Sequence, residues 1–110
     1  PEFWVDWSWH LDEEKSAMMR AESAYSILAR AKRAVGAVME ENAADATVAI
    51  VSHTMPIKLL MADAVGIPLE NMRQVKVDNC GVCEIELHKG EQSKLITWNE
   101  RGFLMRKGLI

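Results

Sequence analysis

The residues best placed for chemistry are Ser-His-Thr at positions 52–54, which directly follow Thr47 and an apolar run at positions 48–51. The run is rich in β-branched residues and has no polar alternation, which predicts a strand buried on both faces, as in a parallel sheet. A helix is predicted to begin at once, because Pro56 is tolerated in a first helical turn. Free N–H groups at a helix start bind anions, and a histidine beside them can act as a general acid, a nucleophile or a phosphate ligand. A structural role for the histidine is the alternative.

Cys80 and Cys83 form a second group, because two thiols three positions apart are typical of redox and zinc sites. The pair spans a predicted turn and strand, however, whereas a redox pair opens a helix. Zinc would need two further ligands, for which only His53 and His88 are near. We therefore expect neither a redox role nor a metal at this pair. A predicted hairpin carries three carboxylates on its polar face, and exposure of that face to water is sufficient to explain them: Glu84, Glu86 and Glu91.

Residues 1–12 form an aromatic N-terminal segment. It holds three of the four tryptophans and one histidine: Trp4, Trp7, Trp9 and His10. Their spacing fits neither one helical face nor strand alternation. An irregular or short helical cover on the core is one interpretation, because aromatic side chains supply a large buried area. A substrate lid or a self-association surface is the other, because exposed aromatic patches mark interfaces.

The elements that would position these groups follow from hydrophobic periodicity and turn residues. A long amphipathic helical segment is predicted first, with a break near Ser23 or Gly36. Gly66 is expected to cap the helix that follows the histidine, and one more short turn is expected after Pro68. The order of helix, buried strand, helix, strand and antiparallel hairpin predicts a mixed sheet flanked by helices. Helices are predicted over residues 12–42 and 56–65, and strands over residues 47–51, 75–78, 82–88 and 95–98, with a turn at 89–91.

Composition narrows the class of protein. The 110 residues, 49% hydrophobic and 26% charged, predict one globular domain over residues 1–110. With a net charge of −3 and no basic residues clustered with aromatics, nucleic acid is not an expected partner. No apolar run is long enough for a bilayer and no signal peptide is present, so no membrane partner is expected. Two cysteines form no disulfide framework, which predicts a reducing, cytoplasmic location, and no cofactor-binding loop is recognisable.

Three blocks of the sequence, in matching order, resemble the histidine phosphatase superfamily, the phosphoglycerate-mutase-like proteins. Residues 48–71 are similar to the family's second-histidine region, with an apolar strand, Ser-His, a helix that opens with Ile-Lys, and the pattern G-x-P-L-E. Residues 77–87 look like its D-N-x-S-V stretch, and Ala-Glu-Ser at 21–23 followed by Arg30 looks like its G-E-S…R helix. The resemblance covers most of the chain.

The resemblance implies a three-layer α/β/α fold with a mixed, mainly parallel sheet. It implies a phosphohydrolase or phosphomutase that works through a phosphohistidine, with a small phosphate ester or inorganic phosphate as its ligand. His53, as the family's second histidine, would be catalytic and would contact the phosphoryl group, and the backbone N–H of Thr54 would help to hold phosphate oxygens. Thr54 replaces the family's glycine, which narrows the approach to the backbone. The resemblance implies no metal and no cofactor.

The family's first strand, which carries the nucleophilic histidine in an Arg-His-Gly motif, has no counterpart here, because His10 lies between Trp9 and Leu11. Phosphoryl transfer needs concentrated positive charge and an in-line nucleophile. We therefore expect the chain as given to be inactive or to be the C-terminal portion of a larger enzyme. A non-catalytic binding or self-association module that keeps the fold is the alternative. Without the first strand, one edge of the strand at 47–51 would be unpaired, which predicts a homodimer or a complementing chain.

Overall fold

Two compact units make up the chain, Pro1–Ser52 and His53–Ile110. The computed structural model describes residues 11–18, 20–88 and 93–108. Within these ranges no helix is long and apolar enough to cross a membrane. Several residues singled out in the sequence lie outside the described residues: Trp4, Trp7, Trp9, His10 and Glu91.

The described part of the first unit contains two helices, α1 at Glu13–Met18 and α2 at Ala24–Glu41. The structure places the helix break just before Ser23 and not at Gly36, which lies inside α2. Ser23 is the N-cap of α2, and its hydroxyl oxygen accepts a hydrogen bond from the Ser26 N–H at 3.2 Å. A serine at this position satisfies one free N–H group of the first turn. The predicted break near Ser23 is therefore confirmed, and the cap is its physical reason.

Residues 47–51, predicted as a buried strand, form no strand and are exposed. The exposed fraction is 54% for Ile50 and 97% for Val51. No neighbouring strand pairs with them in the described part of the chain. A single extended segment cannot satisfy its own backbone groups or bury both of its faces. The predicted burial is wrong because it requires sheet neighbours, and the local sequence does not supply them.

The second unit opens with α3, Thr54–Ala64, which ends as the sequence predicts. Gly66 has a φ of +79°, and its N–H donates a hydrogen bond to the Asp63 carbonyl at 3.2 Å. The Ile67 N–H donates to the Ala62 carbonyl at 2.8 Å. These two bonds form a Schellman motif, in which glycine reaches positive φ without a steric penalty. The predicted glycine cap is confirmed.

The core of the second unit lies on α3 and on the segment that follows it. A 3-10 helix at Leu69–Gln74 confirms the expected short turn. Residues 75–78, predicted as a strand, form none, yet Val75 and Val77 are buried. The alternation of apolar and polar residues at 75–78 is thus sufficient to bury the apolar side chains. A β-strand also requires a neighbouring strand with which its backbone can form hydrogen bonds. The buried apolar residues of this unit are Leu59, Met61, Ala62, Met72, Val75 and Val77.

The predicted hairpin is confirmed as two antiparallel strands, β1 at Val82–Glu86 and β2 at Lys94–Glu100. Their register shifts twice, once between Val82 and Glu84 and once between Glu84 and Ile85, and at each shift β2 carries an extra residue; the first shift forms the bulge before Glu100. Asn99 lies in this bulge with a φ of +53°. A short helix, α4 at Gly102–Arg106, follows. The described residues thus form a mixed helix and strand fold, compatible with α/β, whose sheet is small, two-stranded and antiparallel.

Candidate functional site

His53 lies at the N-cap of α3, with extended backbone angles of φ −116° and ψ 164°. Its carbonyl accepts a helical hydrogen bond from the Ile57 N–H at 3.2 Å. The residue is exposed, and its side chain makes no capping hydrogen bond. Serine, threonine, asparagine and aspartate are the residues that cap a helix well. The imidazole is therefore available to a ligand at the helix start.

The backbone at the start of α3 offers two hydrogen-bond donors, the N–H groups of Thr54 and Met55. Neither donates a hydrogen bond within the described residues. Pro56 has no N–H group, and the Ile57 N–H is already bonded to His53. Two free donors at the positive end of an 11-residue helix suit an anion. The sequence pointed to Thr54 but missed Met55, although Pro56 was a usable signal because it removes the next donor.

Thr54 connects the helix start to a turn that is distant in sequence. Its hydroxyl donates a hydrogen bond to Asn79 Oδ1 at 3.4 Å. The turn that holds Asn79 is closed by a hydrogen bond from the Gly81 N–H to the Asp78 carbonyl at 2.9 Å. The structure therefore brings together two of the sequence blocks on which the family resemblance rests.

Three polar side chains attach this turn to the end of β2, and we call them the Asp78 cluster: Asp78, Asn99 and Arg101. Asn99 bonds to Asp78 twice, accepting from its N–H at 3.0 Å and donating to its carboxylate at 2.9 Å. Arg101 Nε lies 3.4 Å from Asp78 Oδ2. The Asn99 hydrogen bond, and then the positive charge of Arg101, lower the pKa of the Asp78 carboxyl. Sequence reasoning assigned none of these three residues to the site.

Lys58 supplies positive charge one turn beyond Thr54, on the same face of α3. Burial lowers the pKa of Lys58, and the positive charge of Arg73 in the 3-10 helix lowers it further. Within the described ranges no carboxylate forms an ion pair with Lys58. A half-buried ammonium group beside a second cation is stabilised by a bound anion. Lys58 and Arg73 are therefore two positive charges in the unit that contains the start of α3.

Among the described residues, the other groups singled out in the sequence do not assemble into a site. Cys80 is exposed and Cys83 is half-buried, and both are free thiols. Glu84 and Glu86 are exposed on β1, and Glu86 Oε2 lies 3.6 Å from His88 Nε2. Across the part of the chain that the structure describes, no three or more histidine, cysteine or acidic residues are grouped to hold a metal ion.

In the first unit, Glu22 is in direct contact with Arg30. Both residues belong to the block that resembles the family's G-E-S…R helix. Arg30 donates two hydrogen bonds to the Glu22 carboxylate, at 2.6 and 3.2 Å, and the Ser26 hydroxyl donates a third at 2.8 Å. The bond from Ser26, followed by that from Arg30, lowers the pKa of Glu22. The contact links the segment before α2 to the helix itself, which explains the pair as a structural clamp.

The described fold and site define a mixed helix and strand protein with an exposed histidine at the start of a helix that has two free N–H groups. The family model of the histidine phosphatase superfamily (branch 1) matches residues 1–101. The chain therefore belongs to the histidine phosphatase superfamily, as its sequence motifs indicated. No curated protein and no solved structure matches the chain.

Proposed function

We propose that the protein binds the phosphate group of a small phosphate ester, or inorganic phosphate, at the start of α3. His53 would contact the phosphoryl group, and the N–H groups of Thr54 and Met55 would bind its oxygens. The observation that carries the proposal is a histidine that occupies an N-cap position without capping, beside two free donors. Membership of the histidine phosphatase superfamily supports a phosphate ligand.

The chemistry that this site would serve is phosphoryl transfer of the phosphohydrolase or mutase type. Such a reaction needs positive charge around the phosphoryl oxygens and a nucleophile in line with the leaving group. His53 and the start of α3 provide the first requirement, and Lys58 adds to it. We assign His53 to phosphate contact and no residue of the described part of the chain to the second requirement, so we propose that these residues alone bind phosphate without transferring it.

Two exposed histidines of the second unit allow a matched experiment. Phosphate binding is measured by 31P NMR titration of inorganic phosphate with the parent protein, His53→Ala and His88→Ala. We expect at least tenfold weaker binding in His53→Ala, because the imidazole contact is lost, and unchanged binding in His88→Ala. Equal binding by all three proteins would refute the site.

Hydrolysis of p-nitrophenyl phosphate by the same three proteins separates binding from catalysis. Binding without hydrolysis supports the non-catalytic function that the site favours. Hydrolysis that is lost in His53→Ala but kept in His88→Ala would instead show that a nucleophile is present and that the protein is an active phosphohydrolase.

A second candidate function is self-association through residues 47–51. This segment is apolar and exposed, and its backbone is unpaired in the described part of the chain. An exposed apolar strand edge pairs readily with another strand. We propose that a second copy of the chain supplies that strand, and that the sheet extended in this way forms part of the three-layer α/β/α arrangement typical of the family.

Light scattering at micromolar concentration tests self-association. The parent should be a dimer, and Val51→Lys should be a monomer, because the interface would have to bury an unpaired charge in place of an apolar side chain that is 97% exposed in the free chain. Met105→Lys is the control, since Met105 is also exposed, at 67%, but lies in α4. A monomeric parent, or a Val51→Lys variant that still dimerises, would refute the proposed interface.

A further inference from the structure

We propose that Asn79 is a positioning residue for the phosphate site, acting through the Thr54 hydroxyl. The inference rests on the proposed function, because it concerns the same site. Asn79 Oδ1 accepts the hydrogen bond from Thr54 Oγ1 at 3.4 Å, across 25 positions of sequence. It thereby restrains the first residue of α3, whose N–H is one of the two free donors.

The turn that holds Asn79 has a defined backbone. The bond from the Gly81 N–H to the Asp78 carbonyl closes it, and Cys80 at its third position has a φ of +64°. A positive φ at that position is typical of a type II turn and usually requires glycine. A non-glycine residue held in this region indicates that the surrounding contacts determine the conformation. Asn79 is therefore presented to Thr54 from a fixed turn.

The Asp78 cluster supplies the contacts that hold the turn. The Asn99 side chain bonds both to the backbone and to the carboxylate of Asp78, and Arg101 pairs with the same carboxylate. The bulge in β2 places Asn99 where it can make both bonds. A Cβ atom on Gly81 would collide with Asn99 Oδ1 and approach the Asp78 carbonyl to 3.0 Å, so any other residue at that position would displace the Asn99 side chain. Direct contacts thus link the hairpin of β1 and β2 to the turn that holds Asn79, and link that turn to the start of α3.

This linkage explains how a threonine can replace glycine beside the phosphate-contacting histidine. A free threonine side chain would restrict access to the backbone N–H groups and could rotate among three staggered positions. The hydrogen bond to Asn79 selects one of these positions. We infer that Asn79 keeps the Thr54 and Met55 donors open to phosphate.

The test is 31P NMR titration with inorganic phosphate on variants that change the contact in different ways. Asn79→Ala removes the acceptor, Thr54→Val removes the donor with little change of shape, and Thr54→Ser keeps the donor. We expect phosphate binding about fivefold weaker in Asn79→Ala and in Thr54→Val, as for loss of one hydrogen bond. Thr54→Ser should keep the parent affinity, and the double variant Asn79→Ala with Thr54→Val should be no weaker than either single one.

Asn71→Ala is the matched control, because Asn71 is an exposed asparagine in the 3-10 helix of the same unit. Circular dichroism of each variant confirms folding, so that a loss of binding is not a loss of structure. A parent protein that binds no phosphate overturns both the proposed function and this inference. Phosphate binding that depends on His53 but not on Asn79, additive losses in the double variant, or a Thr54→Ser variant as weak as Thr54→Val, overturns this inference alone.

Discussion

Replacing His53 with asparagine should stabilise the fold while it abolishes phosphate binding. The N-cap of α3 makes no side-chain hydrogen bond, and asparagine is among the strongest N-cap residues. Pro56 has no N–H group, so the new amide oxygen can accept only from the Met55 N–H. One such bond is worth about 0.5–1 kcal/mol, which corresponds to a rise in melting temperature of about 3–6 °C in a small domain. Phosphate binding should be lost, because the imidazole is absent and the Met55 donor is occupied.

The assay compares His53→Asn with its opposite, Ser23→Ala. Ser23 caps α2 through the bond from the Ser26 N–H at 3.2 Å, so its removal should lower the unfolding free energy by about 1 kcal/mol. Urea unfolding followed by circular dichroism measures both changes, and 31P NMR titration measures phosphate binding. If His53→Asn were less stable than the parent, the imidazole would have a structural role. If the variant bound phosphate as the parent does, His53 would not be a ligand.

Three further outcomes follow from the second unit. Leu59→Ala should lower the unfolding free energy by about 3 kcal/mol, because Leu59 is fully buried, whereas Leu95→Ala, at a residue 44% exposed, should cost well under half of that in the same urea assay. Lys58→Met should raise the unfolding free energy at neutral pH, because the lowered pKa of Lys58 means that folding disfavours its charged ammonium form. The unfolding free energy of the parent should also rise as the pH rises towards the ordinary lysine pKa, and that of the variant should not. The lowered pKa of Asp78 stabilises the fold above about pH 4, and this contribution is lost as the pH falls through the folded-state pKa, so Asp78→Asn should show a smaller loss of stability on acidification than the parent.

The parts of the fold that sequence reasoning predicted are those that local interactions determine. The helix break near Ser23 and the glycine cap at Gly66 depend on residues within a few positions of one another, and the hairpin joins two strands that follow each other in the sequence. The burial of residues 47–51 could not be predicted correctly, because burial in a sheet depends on neighbouring strands from elsewhere in the chain. The same apolar run is compatible with a buried strand and with an exposed edge.

The residues of the candidate site were likewise predicted only where a local sequence pattern marks them. His53 and Thr54 were found because a strand-like run followed by a helix start is visible in the sequence, and their roles remain predictions. Asn79 and Asn99 were not assigned to the site, because their contacts join positions 25 and 21 residues apart. The bulge that positions Asn99 is a property of the register between two strands, and the alternation of apolar and polar residues does not reveal it.

The N-cap of α3 is best understood as a position where binding and stability have opposite requirements. A capping residue would occupy the Met55 donor, whereas the uncapped histidine leaves both donors free. The loss of stability is offset elsewhere in the unit, by the buried Leu59 and by the Schellman motif that closes the other end of the helix. A residue selected only for folding would not be histidine, since histidine neither caps well nor is buried here. We therefore propose that an anionic ligand, rather than the fold alone, accounts for the histidine at this helix start.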